Sequence, residues 1–446
     1  MRKSYGMIVW VLCAGLVLAL IGAGPAAAFT PLKGDMASFD PTKQTFPTSG
    51  DTIKIGLFEP FSGPSAISGE IYWLTLGWVA HDINSQGGIK VDGKMKKIQI
   101  IKGDTQVKPA TAKRVAEKLC LEDKVDVMMG TSGTHINIIG QQTAGKYKKI
   151  YMTYGAYSDV LTSKEYFNEY TFRTCWTVAA MSKAIAYYYA KETKIRKFYL
   201  LNQDYVYGHA IAEEFTKAIK EYAPDAQIVG SDFHPLFNKD FAPYLEKVKA
   251  SGAEAIISGN WATDEENLIK QSRQLGLDIP LAGPFFDDYR PLKVIGSGKG
   301  KDFAVVFYHN CAIDNPQNNA FVDQWHALWK NWKEPYNSRL YKWPAGVIGG
   351  TAVQYYWLFD VMKRAGSTKP EKIKKVWEGD KYKTVSGVTW TMRACDHQAL
   401  RDIPVSRLDF PNKWQDDVDS YTKPFMVPEK FCEPPIADDM KGFRCK

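Results

Sequence analysis

From residue 53 onward, apolar and polar positions alternate in a regular rhythm. An apolar run at 53–58 reads as a strand, and a Gly/Pro/Ser loop follows it. Residues 70–84 have helical character, stopped by Gly87 and Gly88. A strand is predicted at 98–102. A helix follows at 109–122, with Ala112, Val115, Ala116 and Leu119 on one face. A strand at 125–129, a helix at 135–147 and a strand at 149–153 continue the pattern. The second half repeats it, with strands at 197–202, 227–232, 255–258 and 279–282. Helices at 207–222, 241–250 and 264–275 lie between them. Strands alternating with helices of this length predict parallel sheets covered by helices, and two such blocks predict two α/β lobes.

In open α/β sheets, ligands sit beyond the carboxyl ends of the strands. Four loops at such ends stand out: SGPSAISG (62–69), TSGTH (131–135), TYGAYSD (153–159) and QDYVYGHA (203–210). Glycine lets a backbone approach a ligand. Hydroxyls and free N–H groups at a helix start hold an anion such as a carboxylate. Each loop alone is also ordinary turn and cap chemistry. Together, at equivalent strand ends, they predict a pocket.

Composition sets the setting. Of 446 residues, 45% are hydrophobic and 24% charged, the balance of a globular protein with material for a large core. At roughly 100–200 residues per domain, two or three domains are expected. Residues 1–28 read as a secretory signal: Arg2 and Lys3, an apolar stretch at 7–23, then Ala26, Ala27 and Ala28 as a cleavage pattern. Cys13 lies inside the apolar run with Leu12 before it, which argues against a lipid anchor. Losing this segment lowers the net charge from +8 to +6, with no dense basic block, so nucleic acid is not an expected partner. Residues 29–51 are polar and carry Pro31, Pro41 and Pro47, and read as a leader.

Export changes what the cysteines mean. Six lie beyond residue 28, an even number that favours disulfides over metal ligands. Cys432 and Cys445 are near in sequence and suit a small loop. Cys311 with Cys395 is a second candidate, among fifteen possible pairings. GSGKGK (296–301) lacks phosphate-loop spacing, and GTSGT (130–134) has Thr134 where a nucleophile elbow needs glycine. The seven histidines are scattered. Cys395, Asp396 and His397 lack a second cysteine pair at zinc spacing. Neither a cofactor nor a metal is expected.

The ordered set of motifs resembles the type I periplasmic binding proteins of ABC importers, in the branch with leucine/isoleucine/valine-, amide- and urea-binding members. The resemblance rests on IKIGLFEPFSGPSAISG (53–69), DINSQGGI (82–89), VDVMMGTSGT (125–134), DYVYG (204–208), NKDFAPYLEKVKASGAEAIIS (238–258) and LAGPFF (281–286). It spans roughly 52–390, and the tail from about 396 matches poorly. It implies two lobes joined by three hinge crossings, with the ligand in the cleft between them. The implied lobes are 52–174 with 310–398, and 175–309 with 399–446.

The resemblance also implies the ligand contacts. Thr134 would hold a ligand carboxylate, with Ser132 and Gly133 beside it. Gly155 and Tyr157 form a second loop, where the family often carries Thr in place of Tyr157. Ser68 stands where an aromatic residue is common. Tyr207 and Trp261 would close from the second lobe, and Trp176 faces either the cleft or the hinge. Trp73 and Trp78 are expected in packing. At 285, amino-acid binders usually carry an acid to pair the ligand ammonium, and this chain has Phe285. A shift of one or two residues would let Asp287 take that role. Otherwise the ligand is an amide or a carboxylic or aromatic acid, since an unpaired buried cation is costly. The implied protein is a monomeric periplasmic solute carrier that partners ABC permease subunits. A ligand-sensing subunit and, more remotely, a secreted hydrolase are the alternatives.

Overall fold

The computed structural model describes residues 29–43, 46–286, 289–296, 303–344, 346–408 and 424–446. The segment 1–28 and Asp287 lie outside the described residues. Two sheets organise the chain. The first runs Ile98–Asp104, Ile53–Glu59, Val127–Gly130, Ile150–Thr153, Thr171–Arg173, all parallel. The second runs Gln227–His234, Lys197–Gln203, Ala255–Ile257, Leu281–Gly283, Ala304–Val306 in parallel. Ile403–Arg407 and Phe425–Val427 then join it antiparallel. Strands inside such sheets are covered on both faces. Ile53–Glu59 is accordingly buried at nearly every position rather than alternating.

Three passages lead between the halves of the molecule: from Thr171–Arg173 to the helix Val178–Glu192, from Ala304–Val306 to the helix Pro316–Trp329, and from Ala399–Leu400, in a small antiparallel sheet with Thr389–Met392 and Lys381–Lys383, to Ile403–Arg407. Each has its own anchor. Thr177 caps its helix by accepting the Ala180 N–H at 3.1 Å, and Asn315 accepts the Asn318 N–H at 2.9 Å. The passages also grip one another. Trp176 packs on Phe307 and Tyr308 at 4.8 and 5.2 Å between ring centres. Arg401 donates to the Thr174 carbonyl at 2.9 Å and lies 4.0 Å over Trp390. Trp176 is thus buried where these passages pack together. Trp78 is core, 4.7 Å from Trp325, and Trp73 packs on Phe46 and under Lys102.

Both ends of the described chain are tied down. The polar leader is a strap over the first lobe, not a loose linker. Phe29, Met36, Phe39 and Phe46 are buried in its core. Asp82 anchors it by accepting the Leu32 and Gly34 N–H groups at 2.7 and 2.6 Å and the Tyr356 hydroxyl at 2.6 Å. At the other end, Phe425–Val427 leaves the second sheet and the tail turns toward the first. Asp439 accepts the Lys164 N–H at 3.1 Å, and Arg444 donates to Glu378 at 2.9 Å.

The tail ends in a disulfide between Cys395 and Cys445, 50 residues apart. This corrects both expected pairings. Cys432 closes the short helix Glu429–Cys432 and stays a buried free thiol, with its sulfur 3.6 Å from the Val427 carbonyl. Cys311 is buried in the second lobe's core and takes no part in the bridge. Nearness in sequence misleads here because the chain after Cys432 travels across to the turn at 393–397. In that turn Asp396 binds Arg393 at 2.6 Å and His397 binds Glu378 at 2.8 Å. Among the described residues no cluster suits a metal ion, and no helix is long and apolar enough to cross a membrane.

Candidate functional site

The carboxyl ends of both parallel sheets meet at one cleft, enclosing about 750 Å³ that is partly open to solvent. Each wall follows from local sequence. On the first-lobe side, the strand Ile53–Glu59 feeds the helix Ala66–Ser85, which presents Ile67, Ser68, Ile71 and Tyr72. The strand Val127–Gly130 feeds Ser132, Gly133 and Thr134, and Ile150–Thr153 feeds Gly155, Ala156 and Tyr157. Gly133 has φ of 89°, in the left-handed region that a side chain disfavours, so the turn into the helix Thr134–Lys146 requires glycine there.

From the second lobe, the strand Lys197–Gln203 leads to Tyr205 and Tyr207. Ala255–Ile257 leads to Trp261, Ala262 and Glu265, and Leu281–Gly283 leads to Phe285 and Arg290. Gly208 allows a close approach here, because a Cβ on it would fall 1.9 Å from the Gln203 carbonyl oxygen.

Nine of the ten residues expected at a ligand therefore line one cavity: Ser68, Ser132, Gly133, Thr134, Gly155, Tyr157, Tyr207, Trp261 and Phe285. Sequence reasoning passed over Tyr72, Tyr205, Glu265 and Arg290, which line it too. Tyr205 lies inside a loop already singled out. Glu265 falls in the first turn of a helix that follows a strand end, and that position was its signal.

Beneath the first-lobe loops sits a fully buried carboxyl group. Glu59 Oε2 accepts the Ser132 N–H at 3.1 Å and faces the Thr131 hydroxyl at 3.5 Å. Burial drives its pKa up from the usual carboxyl range to about 8, against the nearby Tyr154 hydroxyl and the Ser132 and Thr131 donors, which favour the ionised form. The group is thus held protonated at neutral pH. Asn137 secures the neighbouring strand, accepting the Tyr151 and Thr153 hydroxyls at 3.0 and 2.7 Å. Burial also raises the phenols of Tyr72 and Tyr157 well above their ordinary value, so both stay neutral hydrogen-bonding groups.

The second-lobe wall is built from side chains. The indole N–H of Trp261 donates to the Tyr205 hydroxyl at 3.0 Å. Ala262 has φ of 56°, a strained position for a residue with a Cβ, immediately before the helix Thr263–Gln274. Asp264 fixes that helix start by accepting from Gln203 at 2.6 Å and from the Phe237 N–H at 2.8 Å. Tyr157 reaches across the cleft to Tyr207 and Phe285, at 6.1 and 6.2 Å between ring centres. The two walls therefore touch through aromatic rings at the cleft's inner edge. Hydroxyls, main-chain N–H groups, aromatic faces and a few charges make this a place to hold a small amphipathic molecule.

Comparisons with known proteins agree with that geometry. The sequence profile of a family described as "Periplasmic binding protein" matches residues 52–414. A Leu/Ile/Val-binding protein homolog 4 from Brucella melitensis is 27% identical over 370 residues, covering 79% of this chain and 82% of the relative. A leucine-specific-binding protein from Salmonella typhimurium is 25% identical over 341 residues, covering 76% and 86%. Among solved structures, a leucine-, isoleucine-, valine-, threonine- and alanine-binding protein from Brucella ovis, in closed conformation, superposes with a TM-score of 0.76. It is 22% identical and covers 87% of this chain and 98% of that one. A solute-binding protein of an ABC transporter from Rhodopseudomonas palustris, in complex with 3,4-dihydroxybenzoic acid, gives a TM-score of 0.70 at 22% identity, covering 85% and 98%.

Proposed function

The chain belongs to the periplasmic binding protein family, in its type I, branched-chain amino acid branch, and on that premise we propose that it captures a small amino-acid-like, amide or carboxylic-acid solute and delivers it to an ABC permease. The ligand is amino-acid-like, an amide or an aromatic acid. One observation carries this reading: the carboxyl ends of two parallel sheets converge on one cleft with unlike walls. The carboxylate lies against Ser132, Gly133 and Thr134, at the start of the helix Thr134–Lys146, where free N–H groups and the helix dipole favour an anion. Ser68, Gly155 and Tyr157 complete that end. Tyr207, Trp261 and Phe285 cover the apolar part. The names of the relatives support the amino-acid side of this range, and the Rhodopseudomonas complex supports the aromatic-acid side.

The lobes, 52–174 with 310–398 and 175–309 with 399–427, close as bodies about the three passages, the end of the tail going with the first through the Cys395–Cys445 bridge, and the permease reads the closed form. The protein works as a monomer in the periplasm after cleavage behind Ala28. A thermal-shift screen of residues 29–446 tests the reading. The panel is branched-chain and aromatic amino acids, their deaminated acids, aliphatic amides, urea and benzoates. A ligand at 100 times its Kd stabilises by about 2.7 kcal/mol, which raises Tm measurably. A flat melt across the panel overturns the proposal. Turnover of an amide or ester, lost on mutating a cleft serine, would replace it with a hydrolase.

A further inference from the structure

The strand Ile53–Glu59 ends in a carboxyl group that lies behind the Ser132–Thr134 loop of the first lobe. Glu59 is 0% exposed. Its Oε2 accepts the Ser132 N–H at 3.1 Å, while Ser132 itself lines the cleft, so one residue separates the carboxyl from the ligand space. Its Oε1 is buried with no hydrogen-bond partner, and no lysine, arginine or histidine forms an ion pair with the group among the described residues. A carboxylate in such a place is an uncompensated buried charge, whereas a carboxylic acid carries none. The titratable groups around it supply no counter-charge. Tyr72 on the helix Ala66–Ser85, Tyr151 and Tyr154 at the strand Ile150–Thr153, and Tyr355 on the helix Gly346–Ala365 are phenols that burial raises well above their ordinary value, hence neutral. Asp104, in register with Glu59 on the neighbouring strand, is spent on the N–H groups of Phe61 and Gln106 and on the Ser62 hydroxyl. His135, on the helix that leaves the loop, has its pKa lowered by burial and is neutral in alkaline solution.

We propose that Glu59 is a positioning residue that links anion capture to a proton: it grips the Ser132 loop as an uncharged acid, and in alkaline solution a ligand carboxylate settling on the cleft side of that loop draws a proton onto it. This rests on the reading of the cleft given above and adds to it a group that the ligand never touches. An ionised Glu59 and a bound carboxylate would repel each other across one loop in a water-poor interior. The complex therefore keeps the Glu59 proton to higher pH than the free protein does. The balance is one proton passing from solvent to a Glu59 oxygen for each anion bound, complete only where free Glu59 is ionised. Affinity for an anion is thus flat below the pH at which free Glu59 ionises and falls above it. An uncharged amide exerts no such repulsion, and its binding leaves the proton count alone.

The test is calorimetric titration of the folded protein with matched acids and amides, in buffers of different ionisation heat. Benzoate is set against benzamide, and 4-methylpentanoate against 4-methylpentanamide. With free Glu59 ionising at about pH 8, an acid should take up about half a proton or more on binding at pH 9, and bind severalfold more weakly there than at pH 7. Its amide should do neither. In Glu59→Gln, which keeps the shape and cannot ionise, the proton uptake and the pH dependence should both vanish. L-leucine and L-phenylalanine are read as the difference between the native protein and Glu59→Gln, which cancels the titration of their own amine. Circular dichroism first establishes that the variant is folded. Should it unfold, infrared difference spectra of the native protein at pH 9 carry the test: a protonated-carboxyl band gained with the acid and not with its amide supports the role, and no such band overturns it. Acids that bind without proton uptake, or an uptake that persists in folded Glu59→Gln, overturn the role of Glu59 and leave the solute-binding reading standing. Binding of amides alone does the same, because the ligand is then uncharged. Silence from every probe, with the wider panel also silent, overturns both.

Discussion

The two walls of the cleft are made in opposite ways. The first-lobe wall is main chain and hydroxyl groups, locked from below by the buried carboxyl of Glu59 and by Asn137. The second-lobe wall is side chains, with Tyr205, Trp261 and Phe285 only part-buried and Trp261 steadied by a hydrogen bond to Tyr205. A wall of fixed N–H groups recognises what every ligand of a class shares. A wall of exchangeable side chains decides which member of the class is accepted. The contrast teaches where affinity and where selectivity should reside.

The largest effect should come from removing what holds the walls in register. Trp176→Ala empties the cluster formed with Phe307 and Tyr308 and should cost about 3–5 kcal/mol in urea unfolding. Ligand affinity should fall with it for every ligand. A loss confined to one ligand class would break the comparison.

Next comes the pH response of the first wall. Glu59 keeps its proton up to about pH 8 when folded, whereas the unfolded chain loses it near pH 4.3. Between those values the folded state binds a proton that the unfolded state does not. This group's contribution to stability therefore falls as pH rises through that window, by up to about 1.4 kcal/mol per pH unit, and is constant above it. Glu59→Gln, which cannot ionise, should flatten that part of a Tm-against-pH curve between pH 5 and 8. Parallel curves for the two proteins would show that the carboxyl is not held protonated.

Two smaller effects sharpen the division. Thr134→Val should weaken all carboxylate ligands by roughly tenfold, the worth of about one hydrogen bond to a charged group. It should leave their ranking intact, as read by calorimetry. Trp261→Phe removes the N–H that holds Tyr205, and should shift affinities only severalfold while reordering aromatic against aliphatic ligands. If Thr134→Val reorders ligands and Trp261→Phe does not, the roles of the walls are reversed.

Much of this was legible in the sequence because it is local. The strands at 53–59, 127–130 and 197–203 announce themselves as short, mostly apolar runs, and the loops beyond them by their Ser, Thr, Gly and Tyr. The helices Val178–Glu192 and Gly346–Ala365 did not, because most of their positions are buried and no polar face gives a period. Arg290 sits several residues past its strand, beyond the reach of a strand-end rule. Tyr72 reads as an ordinary helix position until the fold turns its ring toward Tyr154 at 4.8 Å. The bridge between Cys395 and Cys445 depends on a route that the tail takes across the molecule, which no spacing encodes.

That bridge also limits how this protein can be recombined with its relatives. Cys395 lies within the span shared with the family, and Cys445 lies beyond it. A chimera built by swapping only the shared span would leave Cys445 without its counterpart and Arg444 without Glu378. It would also exchange Asp82 and its neighbours beneath the Phe29–Phe46 strap, which packs against them from outside that span. The smallest transplantable module therefore runs at least from Phe29 to Cys445, and ligand preference is better regrafted through the side chains of one wall than by exchanging a lobe.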